Sequence, residues 1–220
     1  MKSFDRAALT AQLTDGARAL SVSLSEAQCD KLIDYLALML KWNAVYNLTA
    51  VRDPSQMVVQ HLLDSLAAVT AFDGARFVLD VGAGGGLPGI VLAIWAEEAQ
   101  PELRLTMIDT VHKKTAFLTQ VKAELDLHNV SVQTGRVEQW QAPQMFDVIT
   151  SRAFAELNDF VTWSQHLLDE RGRFIALKGV APGEEAGRLA EGWRVSEILQ
   201  LHVPTLNAER HLVFIEREAA

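Results

Sequence analysis

The chain has 220 residues, 49% of them hydrophobic, with 20 Lys+Arg against 28 Asp+Glu and a net charge of -8. That length and apolar content suffice to bury on the order of 70% of the unfolded surface in one globular α/β unit, and the acidic balance argues against avid, non-specific nucleic-acid binding because like charges repel. The single cysteine, Cys29, excludes an internal disulfide framework; with no signal-peptide core after Met1 and no run of about 18 apolar residues, a soluble, cytoplasmic protein without a membrane partner is expected.

Residues 1–72 read as a helical extension. A first helix is expected over about Phe4 to Ala19. Ser25-Glu26-Ala27-Gln28 has the form of a capping box, and Leu32, Leu36, Met39 and Leu40 follow at helical spacing up to about Trp42. Asp53-Pro54 reads as an N-cap followed by proline at the first helical position, with Val58, Leu62, Leu66 and Val69 as the apolar stripe behind it. After Asp73-Gly74 the pattern changes to short β-rich runs alternating with helices: Phe77 to Val81, Leu103 to Ile108, Val130 to Gln133, Phe146 to Thr150 and Phe174 to Leu177. A helix over about Lys113 to Asp126 puts Phe117, Val121 and Leu125 on one face. Beyond Trp193 two strands, Arg194 to His202 and Leu212 to Glu216, read as an antiparallel hairpin at the sheet edge. The expectation for residues 73–220 is a doubly wound, seven-stranded, mostly parallel sheet, with the whole of 1–220 forming a single domain.

The run Val78-Leu79-Asp80-Val81-Gly82-Ala83-Gly84-Gly85-Gly86-Leu87-Pro88-Gly89 is a buried strand entering a glycine-rich turn and a helix. Glycines let a ligand approach main-chain N–H groups, and the helix start is expected to add free donors, which together mark a nucleotide-type cofactor site. A dinucleotide fingerprint asks for glycine where Leu87 stands, so the match to a NAD site is imperfect. Asp109 ends the second strand, where it can accept from both hydroxyls of a ribose or cap the next helix. Lys113 and Lys114 fall in that helix's first turn, which disfavours cations. Val137 and Glu138 follow the third strand and can flank an adenine, while Arg152 follows the fourth and points across the pocket. Lys113, Arg136, Arg152, Lys178 and Arg210 together form a positive rim suited to polynucleotide phosphates. His61 and Asp64 share a helix face as an acid/base pair or a plain surface hydrogen bond. No spacing matches a metal site, a serine nucleophile or a P-loop.

The core from Phe77 to Glu216, with its glycine loop, Asp109 and terminal hairpin, resembles the class I S-adenosylmethionine-dependent methyltransferases. Narrower motifs, Trp42-Asn43 with Tyr46-Asn47-Leu48-Thr49-Ala50-Val51-Arg52-Asp53, His61-Leu62-Leu63-Asp64-Ser65-Leu66, Gly86-Leu87-Pro88-Gly89, Ser151-Arg152-Ala153-Phe154 and Leu177-Lys178-Gly179, resemble the ribosomal small-subunit methyltransferase G family. The resemblance covers almost the whole chain and implies methyl transfer from S-adenosylmethionine to N7 of a guanine in 16S ribosomal RNA of the small ribosomal subunit. By position it implies that Gly82, Gly84, Leu87, Val137, Glu138 and Arg152 contact the cofactor, with Asp109 at its ribose.

Within that expectation Arg152 and Lys178 act in catalysis by orienting cofactor and guanine, and Lys113, Arg136, Lys178 and Arg210 hold RNA; a monomer without metal is expected. Two rivals are a nicotinamide-dependent dehydrogenase, which would use the same loop and Asp109, and a non-catalytic ribosome-assembly module that keeps the fold.

Overall fold

In a computed structural model, residues 4–218 are described; residues 1–3, where the leaderless N-terminus was expected to begin, and 219–220, the end of the expected domain, lie outside them. Helix α1 (Arg6–Ala19) starts where Asp5 accepts from the Ala8 N–H. Helix α2 (Glu26–Tyr46) opens on the expected capping box: Ser25 Oγ accepts from Gln28 N at 3.2 Å and Gln28 Oε1 from Ser25 N at 3.0 Å. It runs past Trp42 to Asn47, whose left-handed conformation (φ 50°) ends it. The buried Gln28 amide also donates to the Ile94 and Trp95 carbonyls, tying α2 to the helix over Gly89–Ala99.

The third helix departs from the expected regular stripe. Asp53 caps α3 (Pro54–Met57), a π-helical turn follows over Val58–Leu63, and α4 (Asp64–Leu66) resumes the α form. Val58, Leu62, Leu66 and Val69 are all buried, but so are His61, Leu63, Asp64 and Ser65, since this segment is enclosed on several sides.

The sheet comprises β1 (Phe77–Val81), β2 (Arg104–Asp109), β3 (Val130–Thr134), β4 (Phe146–Arg152), β5 (Leu168–Lys178), β6 (Trp193–Leu201) and β7 (Arg210–Arg217). Helices α5 (Gly89–Ala99), α6 (His112–Glu124) and α7 (Leu157–Ser164) connect the parallel strands. The spatial order is β3-β2-β1-β4-β5-β7-β6, with β7 antiparallel to both β5 and β6. The expected doubly wound sheet with an antiparallel end is therefore present. Several strands are longer than expected: β4 reaches Arg152 because Arg152 pairs with Leu177, and β5 starts at Leu168, where an irregular register beside Phe146 precedes the regular pairing from Arg173.

Alternation along the strands divides the core. Val78, Met107, Ile175 and Leu212 face a cluster built with α1, α2, the π turn, α5 and α6. Leu79, Ile149, Phe174 and Val213 face a second cluster that includes Leu157, Phe160 and Trp193. Cys29 lies in the first, as a buried side chain. Strand order reverses between β1 and β4, so the connections leaving their carboxyl ends turn to opposite faces and open a crevice. The register at that edge, Arg152 beside Leu177 and Lys178 beside His211, brings residues distant in the chain together.

Candidate active site

The glycine loop leaves β1 through positive φ angles at Gly82 (67°), Gly84 (57°) and Gly86 (91°). At Gly82 a Cβ would stand 2.3 Å from Phe154 Cδ2, so this position requires glycine both for conformation and for space. Gly85, by contrast, has room for a side chain; its carbonyl accepts from the Tyr35 hydroxyl at 2.5 Å.

Most of the expected free donors are already taken within the protein. Gly82 and Ala83 donate to the Ile108 carbonyl at 2.9 and 3.1 Å, Gly84 to Asp109 Oδ2 at 3.0 Å, and Gly86 and Leu87 to the Ala83 carbonyl. Gly89, at the start of α5, donates to Asp80 Oδ2 at 3.0 Å. The Gly89 N–H that would help bind a pyrophosphate at this helix end is thus already taken by the Asp80 carboxyl. This geometry disfavours a dinucleotide and suits a ligand without phosphate. Burial pushes the Asp80 carboxyl up to about 7, against the Gly89 N–H and the Arg152 charge, which both favour its ionised form.

Two cavities flank the loop and adjoin at Gly82, Lys114 and Ala153, which line both. The smaller, about 300 Å³, is lined by Asp109, Val137, Glu138, Phe154 and Trp163. The larger, about 470 Å³, is lined by Gly82, Gly84, Leu87, Arg152, Lys178 and Arg210. The expected cofactor contacts thus divide between two compartments meeting at Gly82. Asp109 Oδ1 accepts from Val111 N at 2.8 Å, just before α6, and Oδ2 accepts from Gly84 N. Each oxygen retains a lone pair, so ribose hydroxyls can still donate to it. Lys114 Nζ lies 3.6 Å from Asp109, which accounts for a cation in that first turn. The Glu138 carboxyl is held below the usual range by its own backbone N–H and by Arg136, despite some opposing desolvation.

The cationic rim is more neutralised than its sequence implied. Arg152 Nη1 donates to Asp64 Oδ2 at 3.1 Å and to the Gln60 carbonyl at 3.2 Å, and Arg210 Nε donates to Asp64 Oδ1 at 2.6 Å. Lys178 Nζ donates to Glu185 at 2.8 Å and to the Ala155 carbonyl at 3.2 Å. Arg136 pairs with Glu138 at 2.7 Å and lines the smaller cavity. Lys113 lines neither cavity; its ammonium sits 5.9 Å from the Tyr46 ring centre.

His61 and Asp64 are buried and engage different partners, which corrects the picture of a surface pair. His61 Nε2 is 2.9 Å from Thr49 Oγ1, and burial, then the Arg152 charge, lowers its pKa to about 4, so it stays neutral. Sequence reasoning missed Asp64 as the counter-ion of both arginines, and it missed the cavity wall formed by Met39, Leu48, Thr49 and His211. A carboxylate set among Leu62, Leu63 and Leu66 was the available signal for Asp64.

Residues 28–213 match the family model described as rRNA small subunit methyltransferase G. A protein of Herminiimonas arsenicoxydans named ribosomal RNA small subunit methyltransferase G is 77% identical over 217 residues, covering 99% of this chain and 100% of that one. A protein of the same name from Burkholderia pseudomallei (strain 1106a) is 55% identical over 222 residues, covering 98% and 94%. Among solved structures, the O-methyltransferase TomG from Streptomyces achromogenes, in complex with SAM, superposes with a TM-score of 0.57 at 17% identity, covering 94% of this chain and 96% of that one. A SAM-dependent methyltransferase from Aquifex aeolicus gives 0.56 at 19% identity, covering 77% and 96%. At these identities the structural likeness establishes a Rossmann-like fold.

Proposed function

This chain belongs to the rRNA small subunit methyltransferase G family, and from that premise we propose that it transfers the methyl group of S-adenosylmethionine to N7 of a specific guanine in 16S rRNA. It is an S-adenosylmethionine-dependent methyltransferase of small-subunit rRNA. The observation that supports the cofactor part of this reading is the pair of cavities that meet at Gly82, one walled by Asp109, Val137 and Glu138, the other by Leu87 and Arg152; the N7 acceptor rests on the family resemblance. Two compartments suit an adenosine and an amino-acid tail, and the occupied loop donors suit a cofactor lacking phosphate.

Asp109 would accept from the ribose hydroxyls, Val137 and Glu138 would flank the adenine, and Gly82, Gly84, Leu87 and Arg152 would seat the rest. When bound, S-adenosylmethionine supplies an electrophilic methyl group on a positively charged sulfur. Guanine N7 carries an in-plane lone pair and no proton, so the protein needs no general base. Its task is to align the base with the methyl group, with reacting atoms roughly 3 to 3.5 Å apart. Arg152 and Lys178 are assigned to orienting cofactor and guanine; Arg136, Arg210 and the outlying Lys113 are assigned to RNA phosphates.

Methylation leaves positive charge on the guanine, so concentrated cationic charge beside N7 would oppose the reaction. The pairing of Arg152 and Arg210 with Asp64, and of Lys178 with Glu185, limits that charge. We read the enzyme as a cytoplasmic monomer. Among the described residues no helix is long and apolar enough to cross a membrane, and the exposed large apolar side chains are Phe4, the pair Val45-Tyr46, Met145, Val180 and the pair Ile198-Leu199. The apolar core shared by the N-terminal helices and the sheet supports one domain.

The test is to incubate the purified protein with radiolabelled S-adenosylmethionine and small subunits lacking guanine-N7 methylation, then digest the RNA. Label in 7-methylguanosine is expected. Label in another nucleoside would overturn the N7 assignment.

A further inference from the structure

Beyond tempering the charge of two arginines, Asp64 is 3% exposed and accepts from both at once. It lies just after the π-helical turn, a form that recurs at functional sites. Its partners come from distant parts of the chain: Arg152 closes β4 and Arg210 opens β7. One carboxylate oxygen serves each guanidinium, and the Gln60 carbonyl, from inside the π turn, provides Arg152 with a second anchor at 3.2 Å. His61 on the same helix is neutral and turned to Thr49, so it adds no competing charge.

Both arginine side chains remain 24% exposed, line the larger cavity, and retain N–H groups beyond those used by Asp64. An arginine is rich in rotamers, and ordering it before a ligand arrives removes that entropic cost from binding. A buried carboxylate held by a helix can order two arginines together and fix the angle between them.

We propose that Asp64 is a positioning residue: it sets Arg152, on the cofactor side, and Arg210, on the RNA side, as one rigid unit, so that the two substrates are held in register for methyl transfer. This rests on the methyltransferase reading above. It assigns the π-helical segment of the N-terminal extension a part in the chemistry of the sheet edge.

The test uses the full chain with Asp64→Asn, which keeps the shape and removes the charge. Cofactor affinity measured by calorimetry and the RNA KM should both weaken. The single-turnover rate at saturating cofactor and small subunits should fall on the order of 10- to 100-fold, as expected when reacting groups are misplaced. Arg210→Ala should weaken RNA binding while leaving cofactor affinity unchanged, and adding it to Asp64→Asn should cost less than it does alone. Asp64→Glu should fall between wild type and Asp64→Asn. Wild-type affinities and single-turnover rate in Asp64→Asn, with only a lower melting temperature, would overturn the proposal and leave Asp64 a structural residue. If Asp64→Asn does not fold, Asp64→Glu decides: transfer slower than wild type supports positioning, and an unchanged rate overturns it. Calorimetry needs no RNA, so a wild-type chain that binds cofactor but leaves small-subunit RNA unlabelled would refute the acceptor assignment, while the ratio of cofactor affinities still decides the role of Asp64.

Discussion

Beneath the glycine loop, Asp80 sets the local charge balance. Its folded carboxyl titrates at about 7, whereas the ordinary value is 3.8, so the folded protein holds this proton more tightly than the unfolded chain does. The associated stability is fully present below the unfolded value and is lost as pH rises through about 7. Asp80→Asn retains an oxygen for the Gly89 N–H and removes the titration. Urea unfolding from about pH 4 to about pH 8 should therefore show wild type losing stability relative to the variant across that window, then levelling. A pH-independent difference would mean that Asp80 does not titrate there. Gly82 gives a second residue-scale expectation. Alanine at φ 67° with its Cβ 2.3 Å from Phe154 should cost about 1–2 kcal/mol for the backbone alone. Displacement of Phe154 from the smaller cavity should add a loss of cofactor affinity, measurable by calorimetry.

The capping box of α2 is the most separable feature at the level of elements. Ser25 Oγ accepts from Gln28 N and also donates to Glu98 at 2.5 Å, so Ser25→Ala removes a cap and a link to α5. A loss of about 1 kcal/mol is expected, lowering the melting temperature by roughly 2–4 °C with transfer kinetics at low temperature unchanged. Caps of this kind were legible in the sequence because their chemistry is local, as were the strand cores, where apolar runs and turn residues alternate. The extended start of β5 was not legible: Leu168 pairs with Phe146 and regular pairing resumes at Arg173, so the polar Asp169, Glu170 and Arg171 fall in the irregularity between them, where no apolar alternation marks a strand. The π turn was hidden because Val58, Leu62, Leu66 and Val69 keep ordinary α-helical spacing, which gives no sign of a wider turn. Site residues were identifiable one by one from their places at strand ends, but not their pairings. Asp64 lies 88 residues from Arg152 and 146 from Arg210, and no local rule links positions so far apart.

For the molecule as a whole, a net charge of -8 opposes the approach of RNA, so attraction must come from cations at the cavity mouth, and those cations are already paired. Glu185 is where this balance can be tested. It accepts from Lys178 at 2.8 Å and from the Leu157 N–H, and Glu185→Gln keeps an acceptor for Leu157 while releasing the Lys178 charge. Freed Lys178 should engage a phosphate, tightening small-subunit binding and steepening its logarithmic salt dependence by about one unit. The same uncompensated charge would stand beside a guanine that becomes positive as it is methylated, so single-turnover transfer at saturation should slow. Binding and rate are thus expected to move in opposite directions, which simple loss of folding would not produce. If both rise together, Glu185 merely withholds a useful cation, and the electrostatic account of why this rim is neutralised fails.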